Sequence, residues 1–100
     1  MFLYNVTVGI DKELEADWVQ WMKEQYIPVV MATGMFVDWK MYRVLHDQED
    51  GSVSYSVQYF ATTIEQVVQF VEQVEPELNK AHQQRYRDRH VAFRTLLEEV

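Results

Sequence analysis

Val53-Ser54-Tyr55-Ser56-Val57-Gln58-Tyr59 alternates apolar or aromatic residues with polar ones at every position. Period two with β-branched and aromatic side chains marks a strand with one buried face and one of different character. Just upstream, Asp47-Gln48-Glu49-Asp50-Gly51 is a polar loop ending in the Asp-Gly turn signal. Before it, Phe36 to His46 reads as a long strand with Val37, Trp39, Met41, Arg43 and Leu45 on one side. Two strands joined by so short a loop make an antiparallel hairpin. Downstream, Thr62 with Glu65 and Thr63 with Gln66 both fit a capping box, so a helix begins there. Ile64, Val67, Val68, Val71, Val74, Leu78 and Ala81 give it an apolar stripe, and Pro76 is expected to kink or split it.

The N-terminal half reads as one strand followed by a helix. Phe2, Tyr4, Val6 and Val8 alternate with Leu3, Asn5 and Thr7, a strand that Gly9 is expected to end. Asp11 is a suitable N-cap, followed by Glu13, Glu15 and Asp17 at the positive end of a helix. Leu14, Trp18, Trp21, Met22 and Gln25 form one helical stripe. Pro28 is expected to break or kink this helix, and a short piece from Val29 to Thr33 stops at Gly34. At the other end of the chain, Arg87-Asp88-Arg89 turns into a last strand, where Val91, Phe93, Thr95 and Leu97 alternate with Ala92, Arg94 and Leu96. The order is therefore βαββαβ. Right-handed crossovers place both helical segments on one face of a four-stranded antiparallel sheet, the ferredoxin-like α+β arrangement. Residues 1–100 are expected to form one such domain.

Composition narrows the function classes. Of 100 residues, 48% are hydrophobic and 14% aromatic, enough for one core and too much for disorder. There is no cysteine, which excludes disulfides and thiolate chemistry. Met1 to Ile10 lack the features of a signal peptide, and no stretch reaches the roughly 20 apolar residues of a membrane helix. The expectation is a soluble, cytoplasmic protein that does not engage membranes. A formal net charge of −7 opposes generic nucleic-acid binding, where phosphate attraction is the main term. One basic stretch stands out, with Lys80, Arg85, Arg87, Arg89 and Arg94 holding five of the nine basic residues. Cations at a helix C-terminus account for most of it. Lys80, Arg85, Arg87 and Arg89 are the candidates for an anion or partner patch.

The sheet face away from the helices is expected to carry Leu3, Asn5, Thr7, Ser54, Ser56, Gln58, Phe60, Arg94 and Leu96. Such a face, roughly 400 Å² in area, would leave an apolar patch that a two-fold partner covers. A homodimer through the open sheet face follows.

Tyr4-Asn5-Val6-Thr7-Val8, Trp18-Val19-Gln20-Trp21-Met22-Lys23, Ile27-Pro28, Ala32-Thr33-Gly34-Met35-Phe36, Tyr55-Ser56-Val57-Gln58-Tyr59 and Val91-Ala92-Phe93-Arg94-Thr95 resemble an uncharacterised bacterial domain-of-unknown-function family of the dimeric α+β barrel type. The resemblance covers essentially the whole chain and implies a ferredoxin-like protomer in a homodimer of facing sheets. It also implies relatives among cofactor-free monooxygenases, small isomerases and haem-degrading enzymes. Many relatives carry His before the Ile-Pro, where this chain has Tyr26.

If the resemblance extends to mechanism, a small apolar molecule sits between sheet and helices, contacted by Asn5, Trp21, Tyr26 and Gln58. Arg94 is the fifth candidate. Asn5 and His82 occupy elements comparable to the haem-contacting pair of the haem-degrading branch. The strand from Val53 to Phe60 lacks that branch's Trp, and His82 reads as a surface residue beside Ala81, so no cofactor is expected. His46, His82 and His90 lie on separate elements without ligand spacing, and Asp47, Glu49 and Asp50 match a calcium loop only loosely, so no metal is expected. No base, nucleophile and orienting group assemble from the sequence. The expectation is a small homodimeric binding or accessory protein with a small-molecule cleft. The alternatives are a cofactor-independent monooxygenase- or isomerase-like enzyme on a small apolar substrate, and a partner-binding module using Lys80 to Arg94.

Overall fold

The computed structural model describes residues 1–45 and 51–100. The alternating stretch lies within β3 (Ser52–Ala61), which pairs antiparallel with β1 (Phe2–Asp11) on one side and β2 (Asp38–Arg43) on the other. β4 (His90–Glu98) adds to the free edge of β1, giving the order β2-β3-β1-β4. Tyr4 faces Tyr59, Val6 faces Val57 and Val8 faces Tyr55, so the greasy rows expected on one face do align. Trp39 opposite Tyr59 and Met41 opposite Val57 extend that face across β2. The hairpin loop and its Asp-Gly signal, with His46, Asp47, Glu49 and Asp50, fall outside the described residues except for Gly51.

Helices cover this inner face. After a 3-10 turn at Lys12–Leu14 come α1 (Glu15–Trp21), a π-helical turn (Met22–Tyr26) and α2 (Ile27–Ala32). Pro28 does not break the helix. It lacks the N–H that would close the ordinary turn, and the helix answers by widening just before it, Ile27 N–H reaching back five residues to Met22 O. The extra residue rotates the stripe, so Gln25 is exposed and Tyr26 turns inward. Gly34, at φ +74°, caps the end as expected. Thr63 caps α3 (Ile64–Gln73) with a full capping box to Gln66. Pro76 does split the second helix, and α4 (Glu75–Arg85) begins at once with the proline in its first turn.

Several local expectations need correction. Gly9 does not end β1, which runs two residues further; a Cβ there would meet Val91 Cγ2 at 3.2 Å, so glycine lets β4 approach closely. Asp11 makes no cap bond. It closes β1 instead, pairing its carboxylate with Arg89 and donating its N–H to Arg89 O at 3.1 Å. β2 is shorter than Phe36 to His46, and Phe36 packs in the core against Tyr59 and Phe70. Val67 is buried as expected, but Val68, Val71 and Ala81 are exposed, and Phe70, Glu75 and His82, which lay outside the expected stripe, are buried. Finally, Arg94 lies opposite Val6 and Leu96 opposite Tyr4, which puts both on the inner face. The outer row of β4 is Val91, Phe93, Thr95 and Leu97. Among the described residues no helix is long and apolar enough to cross a membrane.

Candidate functional site

A cavity of about 260 Å³ opens between the sheet and the helices. Val6 and Val8 of β1 and Val57 and Tyr59 of β3 form its sheet wall. Met22 and Tyr26, both from the π-helical turn, cover it; the wide turn places both on the cavity side. Asn79, His82 and Gln83 of α4 and His90 and Arg94 of β4 complete it, and the exposed Gln83 and Arg94 mark its mouth.

Three polar features lie in or beside this space. First, the buried Glu75 accepts from Tyr4 Oη at 2.6 Å and pairs with Arg94 Nε at 3.3 Å, while Arg94 Nη2 donates to Asn79 Oδ1 at 2.8 Å. Burial, with the bond to Glu75, holds the Tyr4 hydroxyl well above its ordinary range. For Arg94, burial opposes the charge, but Glu75 more than offsets it and the net shift is upward. Second, His82 is 8% exposed, and its Nε2 accepts from Trp18 Nε1 at 2.9 Å. Burial, then His90 and Arg94, lower its pKa to about 4, so the ring is neutral at physiological pH. Trp21, Tyr26, Tyr86 and His90 surround it, the His90 ring centroid only 4.4 Å away. Third, Tyr59 is 2% exposed, and its hydroxyl has no hydrogen-bond partner among the described residues. Burial, and after it Tyr26, push its pKa well up, and burial raises Tyr26 to about 12.

The five ligand candidates separate. Tyr26 and Arg94 line the cavity. Trp21 packs behind it, against Tyr26 and under Arg85. Asn5 and Gln58 lie opposite each other on the outer sheet face. There Ser56 Oγ donates to Asn5 Oδ1 at 2.5 Å, Asn5 Nδ2 donates to Thr7 Oγ1 at 3.0 Å, and Gln58 Nε2 donates to Ser56 Oγ at 3.2 Å. Asn5 and His82 are thus on opposite sides of the sheet, and His82 Nε2 is engaged, which does not fit a haem held between them. His82 is no surface residue, and the packing of α4 on the start of β4 brings it to His90 despite their separate elements. Among the described residues no group of three metal-ligating side chains comes together. The basic stretch is dispersed into ion pairs: Arg85 with Asp17 at 3.2 Å, and Arg89 with Asp11 and Glu13. Lys80 and Arg87 are exposed. Glu75, Tyr59 and Asn79 were not singled out from the sequence, and His82 was weighed only as a haem or metal contact and set aside as a surface residue. The spacing Val67, Phe70, Val74, Leu78, His82, Tyr86 carries the signal for α4, but only when His and Tyr count as core.

Sheet order, antiparallel pairing and helices on one face define a ferredoxin-like α+β protein. Within that class, the chain belongs to the DUF4286 family, a domain of unknown function whose profile matches residues 1–100. The comparison with curated proteins gives no match. Among solved structures, an ethyl tert-butyl ether degradation (EthD) family protein from Bacillus halodurans is similar at TM-score 0.68 and 14% identity, covering 100% of both chains. A hydroxynitrile lyase from Passiflora edulis is similar at TM-score 0.64 and 13% identity, over 99% of this chain and 95% of that one. A dimeric ferredoxin-like protein from an uncultured marine organism is similar at TM-score 0.60 and 16% identity, over 99% and 98%. At these identities the likeness is one of fold.

Proposed function

We propose that the protein binds a small molecule in the cavity between sheet and helices and works as a homodimer through the outer sheet face. The observation that carries the binding reading is the cavity itself, about 260 Å³ between sheet and helices, with an aliphatic wall from Val6, Val8, Met22 and Val57 and polar side chains, Asn79, Gln83, His90 and Arg94, on its other side. For the dimer, Val91 and Phe93 are 64% and 65% exposed on one row of the outer face, with Leu97 beyond them. An apolar row of this kind favours a covering partner, and one fold neighbour is described as dimeric.

A cofactor-independent enzyme on a small apolar substrate needs a group poised to take a proton. His82 Nε2 holds the Trp18 N–H, and the Tyr26 and Tyr59 hydroxyls stay protonated at neutral pH. At His82, Tyr26 and Tyr59 these features favour binding over turnover, which leaves His90 as the imidazole on the cavity lining that an enzyme would have to use. Saturation-transfer NMR with a library of single-ring fragments tests the reading: fragments bind the wild type and are lost in Val6→Phe, which fills the cavity. Failure of every fragment to bind, or hits that survive the filling, overturns it.

A further inference from the structure

We propose that the cavity recognises an uncharged single-ring molecule by an amide edge, its carbonyl oxygen accepting from His82 Nδ1 and its N–H donating to His90 Nε2. This rests on the cavity-binding reading above and names the chemistry of what binds.

Both imidazoles line the cavity, with ring centroids 4.4 Å apart. Each has one nitrogen held by a group that plays a single role. The indole N–H of Trp18 only donates, so His82 Nε2, 2.9 Å away, accepts and carries no proton. Burial, then His90 and Arg94, keep that ring neutral, and its one proton therefore sits on Nδ1. The backbone carbonyl of Tyr86 only accepts, so His90 Nδ1, 2.9 Å from it, is the protonated nitrogen. In the neutral ring His90 Nε2 is then a bare acceptor. Two identical side chains are held in opposite tautomers, one offering a donor and the other an acceptor.

These two nitrogens are open. Neither bonds to another group among the described residues. Tyr59 Oη is the one buried side-chain nitrogen or oxygen there that lacks a partner, so His82 Nδ1 and His90 Nε2 both keep accessible surface. His82 is only 8% exposed and is enclosed by Trp18, Trp21, Tyr26 and Tyr86, which leaves the cavity as the space its Nδ1 meets.

The other polar groups of the lining are placed differently. Arg94 directs Nε to Glu75 and Nη2 to Asn79 Oδ1, which ties these three together. Gln83 and Arg94 are exposed at the mouth, where water competes for them. A carboxylate has to share Arg94 with Glu75, and beside the imidazoles it sets an oxygen against the lone pair of His90 Nε2. An amidinium sets an N–H against that of His82. A primary amide or a lactam presents C=O and N–H side by side on one edge and meets both rings. Its apolar body packs on the aliphatic wall, and about 260 Å³ suits one ring with a short substituent.

NMR titration of the intact chain at pH 8, above the ordinary imidazole range, tests this with four planar probes of one shape. They are benzamide, acetophenone (a methyl replacing the amide nitrogen), benzoate and benzamidine. Benzamide is expected to bind about tenfold more tightly than acetophenone, the worth of one hydrogen bond. Both ions are expected to bind more weakly than benzamide. In His90→Asn the new amide nitrogen takes the place of Nδ1 against Tyr86 O and nothing replaces Nε2. Benzamide is expected to fall there to the level of acetophenone, whose own affinity is unchanged. His82→Gln keeps an acceptor for Trp18 and removes Nδ1, and both probes are expected to weaken about tenfold with their ratio kept. The wild-type ranking decides even where a variant fails to fold. Equal binding of benzamide and acetophenone, a preference for either ion, a benzamide preference that survives His90→Asn, or affinities unmoved by His82→Gln overturns the inference and leaves the cavity reading standing. If none of the four binds, the inference falls, and the fragment screen decides the cavity reading separately.

Discussion

The two faces of the sheet carry polar groups in opposite ways. On the outer face Asn5, Thr7, Ser56 and Gln58 sit side by side on the central strands and bond one another within the same chain. Apolar side chains flank them on the edges, with Val91, Phe93 and Leu97 on β4 and Tyr42 on β2. On the inner face the rows are mainly aromatic and aliphatic, and the polar groups are fewer but buried. Glu75 is 5% exposed, His82 is held neutral, and Tyr59 Oη is unpaired. The central polar residues of the outer face bond one another, while the greasier face buries a hydroxyl that has no partner among the described residues.

The largest test of this contrast is to charge the outer face. Phe93→Glu sets a carboxylate in the exposed apolar row, where two copies would bury both charges without partners. Light scattering at micromolar concentration is expected to give twice 12.0 kDa for the wild type and 12.0 kDa for the variant, a weakening of at least about a hundredfold. Ligand affinity in the cavity, on the other side of the sheet, is expected not to change. A wild type already at the monomer mass would remove the dimer and leave the inner face as the only interaction site argued for.

Acid tests the inner face. An unfolded imidazole titrates near 6.5; in the folded protein burial, then His90 and Arg94, bring His82 down to about 4. Above pH 6.5 both states hold a neutral ring, and His82 adds no pH dependence. Between 6.5 and 4 only the unfolded chain takes up the proton, so stability falls as pH falls. The loss levels off below about pH 4 at about 3 kcal/mol. Urea unfolding at pH 7, 6, 5 and 4.5 is expected to show this slope in the wild type. It is expected to be much reduced in His82→Gln, whose amide oxygen can still accept from Trp18. Equal slopes would place the acid sensitivity elsewhere.

These two faces were unequally legible in the sequence. Strict alternation in Val53–Tyr59 and Phe2–Val8 determines which residues share a face, and the greasy rows came out on the helix side as expected. Alternation does not say which of a strand's two rows faces which side. In β4 both rows mix apolar with polar residues, and Arg94 and Leu96 were placed on the wrong one. The register that decides it is set by pairing with β1, a contact far away in sequence. The cavity was half legible for a similar reason. Tyr26, a candidate from the sequence, does line the cavity, although the π-helical turn that places it there depends on how the chain relieves Pro28. His82 was misread because the apolar stripe through Val67, Val74 and Leu78 was continued to Ala81 and widened with Val68 and Val71, whereas the buried row takes in Phe70 and ends at His82 and Tyr86. Only the Trp18 donor on another helix makes a buried histidine affordable there.

The two smallest effects oppose each other in sign. Tyr59→Phe removes a hydroxyl that folding buries without a partner, so without ligand it is expected to raise unfolding stability by about 1 kcal/mol. A fall in the denaturation midpoint would mean that the hydroxyl is satisfied after all. Ser56→Ala removes a group that accepts from Gln58 and donates to Asn5. On an open face water replaces both bonds, and the cost is expected to stay within about 0.5 kcal/mol. Between two facing sheets water is excluded, Asn5 and Gln58 lose partners they cannot replace, and the cost rises to about 1–2 kcal/mol. Ser56→Ala is therefore expected to be costlier in the wild-type background than in Phe93→Glu. Denaturant unfolding of the double-mutant cycle measures the difference as a coupling between residues that lie on different strands. Strict additivity would mean that no second sheet covers Ser56, whatever mass the protein shows in solution.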